Sequence, residues 1–203
     1  MEFLYLIVAL AVCITVHEAA HAWVAFKLGD PTAKMAGRVS LNPMVHLDVL
    51  GTIMIFIAHF GWGKPVPFNY NNLKHPRRDA ALISIAGPLT NLLTALVIAI
   101  LFKYLPLSGL LAEILSTIYS LSLILFLFNL LPIAPLDGSK LIGLVIPLSK
   151  EDWYQRFLQQ GPMYVILLII ADRLIAEVAG FSFFGYYLQF GYDVVTTGIM
   201  IVT

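Results

Sequence analysis

Cysteine is nearly absent. Cys13 is the only one in 203 residues, which excludes an intrachain disulfide and a Cys-rich zinc site. It falls four residues before His17 on the same helical face and could line a site there, although a small buried hydrophobe is the plainer role. Charge is scarce too: 12% of residues are charged, against 60% hydrophobic, and the net charge is zero. A soluble domain averages about 25% charged and about 45–50% apolar. With a mean hydropathy of +0.87, the composition implies an integral membrane protein. Zero net charge gives no support for nucleic acid or an acidic partner. The start, Met1-Glu2-Phe3, lacks a basic n-region and the apolar run after it outlasts a signal h-region, so a retained span is expected. The chain shows no internal repeat and no low-complexity tract, and the spans leave no room for a soluble appendage of domain size. The expectation is one membrane-embedded domain over 1–203, with a core at about 3–148 and C-terminal helices at about 150–203.

The expected fold is an all-α polytopic membrane protein, with a three-helix core, a re-entrant or short-strand region, and one or two C-terminal helices. A first span at about 3–28 meets the ~20 residues that a bilayer crossing needs, and Gly29-Asp30-Pro31 stops it. Arg38 to Leu41 alternates polar with apolar residues, which suits a short strand. The apolar run 49–60 is too short for a span and suits a re-entrant or interfacial segment. The flanking loops, 29–48 and 61–79, are both basic, so the positive-inside rule puts both on the cytoplasmic side and the run between them must dip and return. A second span at about 80–104 contains Pro88, which must kink it or break its hydrogen bonding. A third, at about 110–131, runs into Pro132 and Pro135 just before Asp137. Trp153, Tyr154 and Phe157 mark an interfacial segment. A fourth span is expected at about 161–178, with Asp172 and Arg173 at a solvated end. The last twenty residues read as an aromatic interface belt and a weak final helix.

Within the first span lies His17-Glu18-Ala19-Ala20-His21. A central charged residue costs about 2.5–3.5 kcal/mol even on insertion scales, so intramembrane ionisable groups are functional candidates. On a helix His17 and His21 project from one face; that spacing lets two imidazoles reach one zinc while Glu18 stands beside its open position. The alternative is a pair of histidines hydrogen-bonded to neighbouring helices. A catalytic zinc needs a third protein ligand, for which His46, His59, His75, Asp137 and a few loop acids are candidates. If the first span enters from outside, His17 and His21 lie past its midpoint toward the cytoplasm. Asp137 lies at the cytoplasmic end of a span running the same way, at a helix break that frees it to turn inward, and depth therefore favours it. An N-cap for residues 138–146 or a plain Asp-Gly turn is its competing role. Asn91 and Asn129 are candidates to hydrogen-bond an unwound substrate or an oxyanion, or equally to bond between helices.

Five motifs occur in order: H-E-A-A-H in the first span, N-P-M-V-H-L-D, G-W-G-K-P-V-P, A-G-P-L-T-N and N-L-L-P-I-A-P-L-D-G. Over about residues 8–145 the chain resembles the site-2 protease family of intramembrane zinc metalloproteases, in a minimal form without PDZ or CBS modules. Val49 and Gly63 stand where Pro and Ala are more usual. The resemblance implies one zinc per chain held by His17, His21 and Asp137, with Glu18 as catalytic acid/base. It also implies cleavage of transmembrane segments of other proteins within the bilayer, often to release a regulator. A compact prokaryotic plasma-membrane enzyme with its site toward the cytoplasm is the expected setting. The competing classes are a catalytically inactive membrane scaffold binding transmembrane partners and a metal transporter. A scaffold has no need of an ionisable trio in lipid, and a transporter would want polar residues through the full depth of several spans, whose outer halves here are apolar.

Overall fold

Three long apolar runs make the helices that organise the chain. The computed structural model describes residues 2–58 and 62–202. Helix α1 spans Glu2–Lys27. It stops where Gly29 takes a φ of 103°, and the Asp30 N–H bonds back to the Ala25 carbonyl at 3.0 Å, a Schellman-type closure that glycine permits. The Asp30 carboxylate is fully buried and accepts from Thr32 N–H, Asn69 N–H at 2.6 Å and Asn72 Nδ2 at 2.7 Å. It thereby fastens the end of α1 to a turn forty residues on.

A one-turn helix α2 (Thr32–Met35) and a 3₁₀ turn at Pro43–Val45 follow. Residues 38–41 form no strand: the Ser40 N–H turns back on the Arg38 carbonyl at 3.0 Å, and no partner strand lies alongside among the described residues. Among the described residues the β-like pairing is one antiparallel bridge, Leu47 to Gly63. That bridge brackets helix α3, Val49–Ala58. Ten residues at 1.5 Å rise reach about 15 Å, half of a ~30 Å hydrocarbon core. The two ends of the segment are adjacent, since the Lys64 N–H also bonds the His46 carbonyl at 2.8 Å. An excursion and return, rather than a crossing, is the geometry this makes.

Helix α4 runs Pro76–Tyr104 with Pro88 inside it, and α5 runs Gly109–Asn129. Pro76 suits the first helical position, and Asp79 Oδ2 reaches back to the His75 N–H at 2.9 Å. Helices α1, α4 and α5 pack on one another around Ala9, Cys13, Ile98 and Ile118. These three are long and apolar enough to cross a membrane. Their outward residues, Leu4, Ile7, Leu89, Leu93, Val97 and Ile124 among them, are exposed, as a lipid-facing surface requires.

Past a five-residue helix α6 (Gly138–Ile142) come α7, Glu151–Ala179, and α8, Phe183–Val202. The segment expected as a fourth span is the C-terminal part of α7, which begins ten residues earlier with Glu151, Asp152 and Arg156 and ends with Asp172, Arg173 and Glu177. Among the described residues, α7 is not one of the three helices long and apolar enough to cross. Asp172 is no loose boundary charge: it caps α8, accepting from Phe183 N–H at 2.6 Å and Ser182 Oγ at 2.7 Å. Helix α8 leans on α5, with Tyr187 donating to the Leu127 carbonyl at 3.1 Å and Gly191 giving Leu127 its space.

Candidate metal centre

His17 and His21 stand one turn apart on α1, and their ring centroids are 4.6 Å apart in an edge-to-face arrangement. Asp137 enters from the break after α5. It can do so because Gly138 has no side chain: a Cβ there would lie 2.3 Å from the Leu130 carbonyl oxygen. Asp137 Oδ2 comes to 3.1 Å from His17 Nε2 and 3.2 Å from His21 Nε2. The three ligand atoms lie within 4.8 Å of one another.

Each of the three is held from behind. The His21 Nδ1–H donates to the Ile83 carbonyl at 2.7 Å, which leaves a lone pair on Nε2. The Asn91 amide lies 3.2 Å from His17 Nδ1, and its Oδ1 is buried without a partner. Turned over about its last bond, the amide presents that oxygen to a His17 Nδ1–H and leaves the lone pair of His17 on Nε2 as well. Ser84 Oγ donates to Asp137 Oδ1 at 2.9 Å. Asp137 Oδ2, by contrast, is buried and has no hydrogen-bond partner. Buried polar atoms are rarely left so. With Asn91 so turned, two imidazole lone pairs and a bare carboxylate oxygen converge on one point as a donor set for a cation, and three protein ligands with an open side suit zinc.

Space for that cation comes from Gly87 on α4. A Cβ at this position would fall 2.4 Å from His21 Nε2 and 2.7 Å from His17 Cε1. Next to it, Pro88 has no N–H to offer the Ser84 carbonyl.

Glu18 is half-buried beside the trio, facing Arg38 Nη2 at 3.7 Å. Burial lowers the pKa of Arg38, with Glu18 offsetting part of that effect. Lys140 on α6 is likewise lowered by burial, against the pull of Asp137 and Glu18. A cavity of about 410 Å³ opens on another face of α1, between Val16, Ala20 and Trp23 on one side and Val39 to Leu41 on the other.

The remaining candidates are placed apart from the trio. His46 is fully buried, with Nε2 bonded to the Ser40 carbonyl at 2.7 Å and Nδ1 at 3.4 Å from Arg38 Nη2. His75 is exposed at the start of α4. His59 lies outside the described residues. Asn129 donates within its own helix to the Leu125 carbonyl at 3.0 Å, whereas Asn91 joins the site behind His17. Cys13 is buried between helices, 3.2 Å from Ser122 Oγ, and packs in the core. Sequence reasoning missed Ser84, the Ile83 carbonyl, Gly87 and Arg38. The Gly-Pro pair within a long apolar helix was the signal for the first three.

A profile of peptidase family M50 matches residues 5–113 and 103–171. Among curated relatives, the Bacillus subtilis (strain 168) protein titled "Putative zinc metalloprotease YwhC" is 45% identical over 152 residues, 70% of this chain and 69% of its own length. Rip2 of Mycobacterium tuberculosis (strain H37Rv), titled in the same terms, is 32% identical over 196 residues, 93% of this chain and 73% of its own. Zinc metalloprotease MJ0392 of Methanocaldococcus jannaschii is 27% identical over 149 residues, 73% of this chain and 36% of its own. No solved structure matches the chain.

Proposed function

The chain belongs to peptidase family M50, the site-2 protease family, and from that premise we propose that it is a zinc metalloendopeptidase of the membrane that hydrolyses peptide bonds in transmembrane segments of other proteins. His17, His21 and Asp137 are the metal ligands in this reading and Glu18 is the general base and acid. The observation that carries it is the orphaned Asp137 Oδ2 facing two histidine Nε2 atoms whose Nδ1 atoms are engaged elsewhere. The apolar helices and the family make the chain an integral membrane protein.

Zinc at this site supplies a Lewis acid, polarising a carbonyl and lowering the pKa of water. The work of the protein's own groups is orientation and proton movement. Ile83 and Asn91 hold the imidazoles in one tautomer, and Ser84 occupies Asp137 Oδ1 so that Oδ2 is the ligand. Glu18 takes the proton of the attacking water and returns it to the leaving amide nitrogen. Helical substrates hide their carbonyls in hydrogen bonds, so a substrate must unwind first. Irregular backbone at membrane depth is tolerated only within protein or beside water, and the irregular backbone on either side of α3 is the place we assign to it. A prokaryotic plasma membrane, with the site toward the cytoplasm, is the setting that the two basic loops favour.

Glu18→Gln tests the assignment. It should keep about one zinc per chain and lose cleavage by a factor of about 10²–10⁴, the usual weight of a proton-transfer group. Near wild-type cleavage by Glu18→Gln would remove Glu18 from the chemistry.

A further inference from the structure

Arg38 sits in the first basic loop, where a solvated charge is the ordinary expectation. It is instead 3% exposed. Its Nη1 donates to the Pro65 carbonyl at 2.8 Å and its Nη2 to the Lys64 carbonyl at 2.5 Å. Those carbonyls belong to the second basic loop, just past the Leu47–Gly63 bridge. Nη2 also lies 3.4 Å from His46 Nδ1, while His46 Nε2 is 2.7 Å from the Ser40 carbonyl. A carbonyl only accepts, so His46 Nε2 carries the hydrogen and Nδ1 is left as an acceptor for the guanidinium. The fully buried imidazole is thereby fixed.

A guanidinium held by two carbonyls and an imidazole has little freedom left, and one charge remains within its reach. Glu18 Oε2 is 3.7 Å from Nη2. The other oxygen, Oε1, lies next to Gly63, 3.5 Å from where a Cβ of that residue would be. Burying a charged group is costly unless it is paired. An Arg built so deeply at this depth, on the one acid beside the metal ligands, is hard to explain as a loop tie alone: the two carbonyls and His46 would serve that purpose without Glu18.

We propose that Arg38 is a positioning residue for Glu18, the guanidinium anchored by Lys64, Pro65 and His46 drawing Oε2 to one side so that Oε1 is the oxygen left to handle the proton. His46 is part of the anchor and no metal ligand. The proposal rests on the reading of Glu18 as general base, and it adds that the basic loops set its geometry. Lysine at this position would keep the charge but lose the planar fork that two carbonyls and an imidazole require.

The test uses the full-length protein in detergent with zinc bound, as wild type, Arg38→Gln, Arg38→Lys and Glu18→Gln. The readouts are zinc per chain, the infrared carboxylate stretch assigned to Glu18 by its loss in Glu18→Gln, and kcat and KM on a labelled single-span peptide that the wild type cleaves. Arg38→Gln should keep about one zinc, shift the Glu18 band, and lower kcat by about 10- to 100-fold with KM little changed, the range typical of groups that orient a site from outside it. Arg38→Lys, which keeps the charge and is the safer variant for folding, should shift the band less and recover part of kcat. An unmoved Glu18 band in both variants, or a rise in KM with kcat intact, would overturn the proposal and leave Arg38 as a loop tie. Those results leave the role of Glu18 standing, whereas an active Glu18→Gln would fail the parent reading instead.

Discussion

A methyl group at position 87 would land between the two histidine rings, 2.4 Å from His21 Nε2. At that distance the imidazoles must move, and they are pinned by Ile83 and Asn91. Gly87→Ala should therefore lower zinc affinity at least tenfold while α4 still forms, because alanine favours a helix over glycine. Zinc titration against a chelator, with circular dichroism alongside, checks both halves. Asn91→Leu should cost about 10–100-fold in zinc affinity through the loss of the partner behind His17, with the protein still folded. Unchanged affinity would make Asn91 a packing residue. At this scale the candidate ligands can be proposed from the sequence and most of their supports cannot. His17 and His21 are suggested by a spacing of four on one helix, and Asp137 by depth and a helix break. The sequence leaves Asn91 open between a substrate contact and a bond between helices, and it bonds across to α1. Ser84 and Ile83 act on residues 53 and 62 positions away, and no local periodicity encodes which hydroxyl or carbonyl faces which group. Arg38 misled because a basic loop residue is usually solvated, and only the fold reveals what lies over it.

Among the elements, α3 and the end of α1 carry the clearest expectations. Gly51 faces the backbone of Trp62, where a Cβ would come within 2.1 Å of the carbonyl oxygen. Gly51→Val should force the returning strand of the loop off α3, loosening the Lys64–Pro65 carbonyls that hold Arg38. Cleavage should fall with zinc retained, since no metal ligand lies on this segment. Run length and two loops of one sign predict a dip into the membrane, and the Leu47–Gly63 bridge brings the two ends of the segment together as that reading needs. The strand at 38–41 was not a sound reading, because alternation over four residues also suits a chain held by one buried arginine. Asp30 gives a pH signature. Burial raises its pKa, but bonds from Thr32, Asn72 and Asn69 outweigh that and hold it below the ordinary value. A depressed carboxylate contributes stability that is fully present above its unfolded pKa of about 3.9 and is lost as pH falls through the lower folded value. Melting temperature should thus drop on acidification below about pH 4, and Asp30→Asn should start lower at neutral pH and lose part of that dependence.

For the molecule as a whole, three apolar helices support one polar point, where Asp137 faces two histidines and Glu18 faces Arg38. Our reading makes the chain one membrane-embedded unit and predicts that its two basic loops share a side. Cys13 is fully buried, so single cysteines at 37 and 70 can report their own exposure. Both should label from the same face of sealed vesicles, and opposite faces would break the re-entrant reading and with it the depth argument for Asp137. The claim on which the rest depends is that His17, His21 and Asp137 hold one metal ion. Zinc per chain in the purified protein, beside His21→Ala and Asp137→Ala, tests it most directly. The account predicts close to one zinc in the wild type and little in either variant with the fold intact; a folded wild type that takes up no zinc, or an Asp137→Ala that keeps it all, would contradict it.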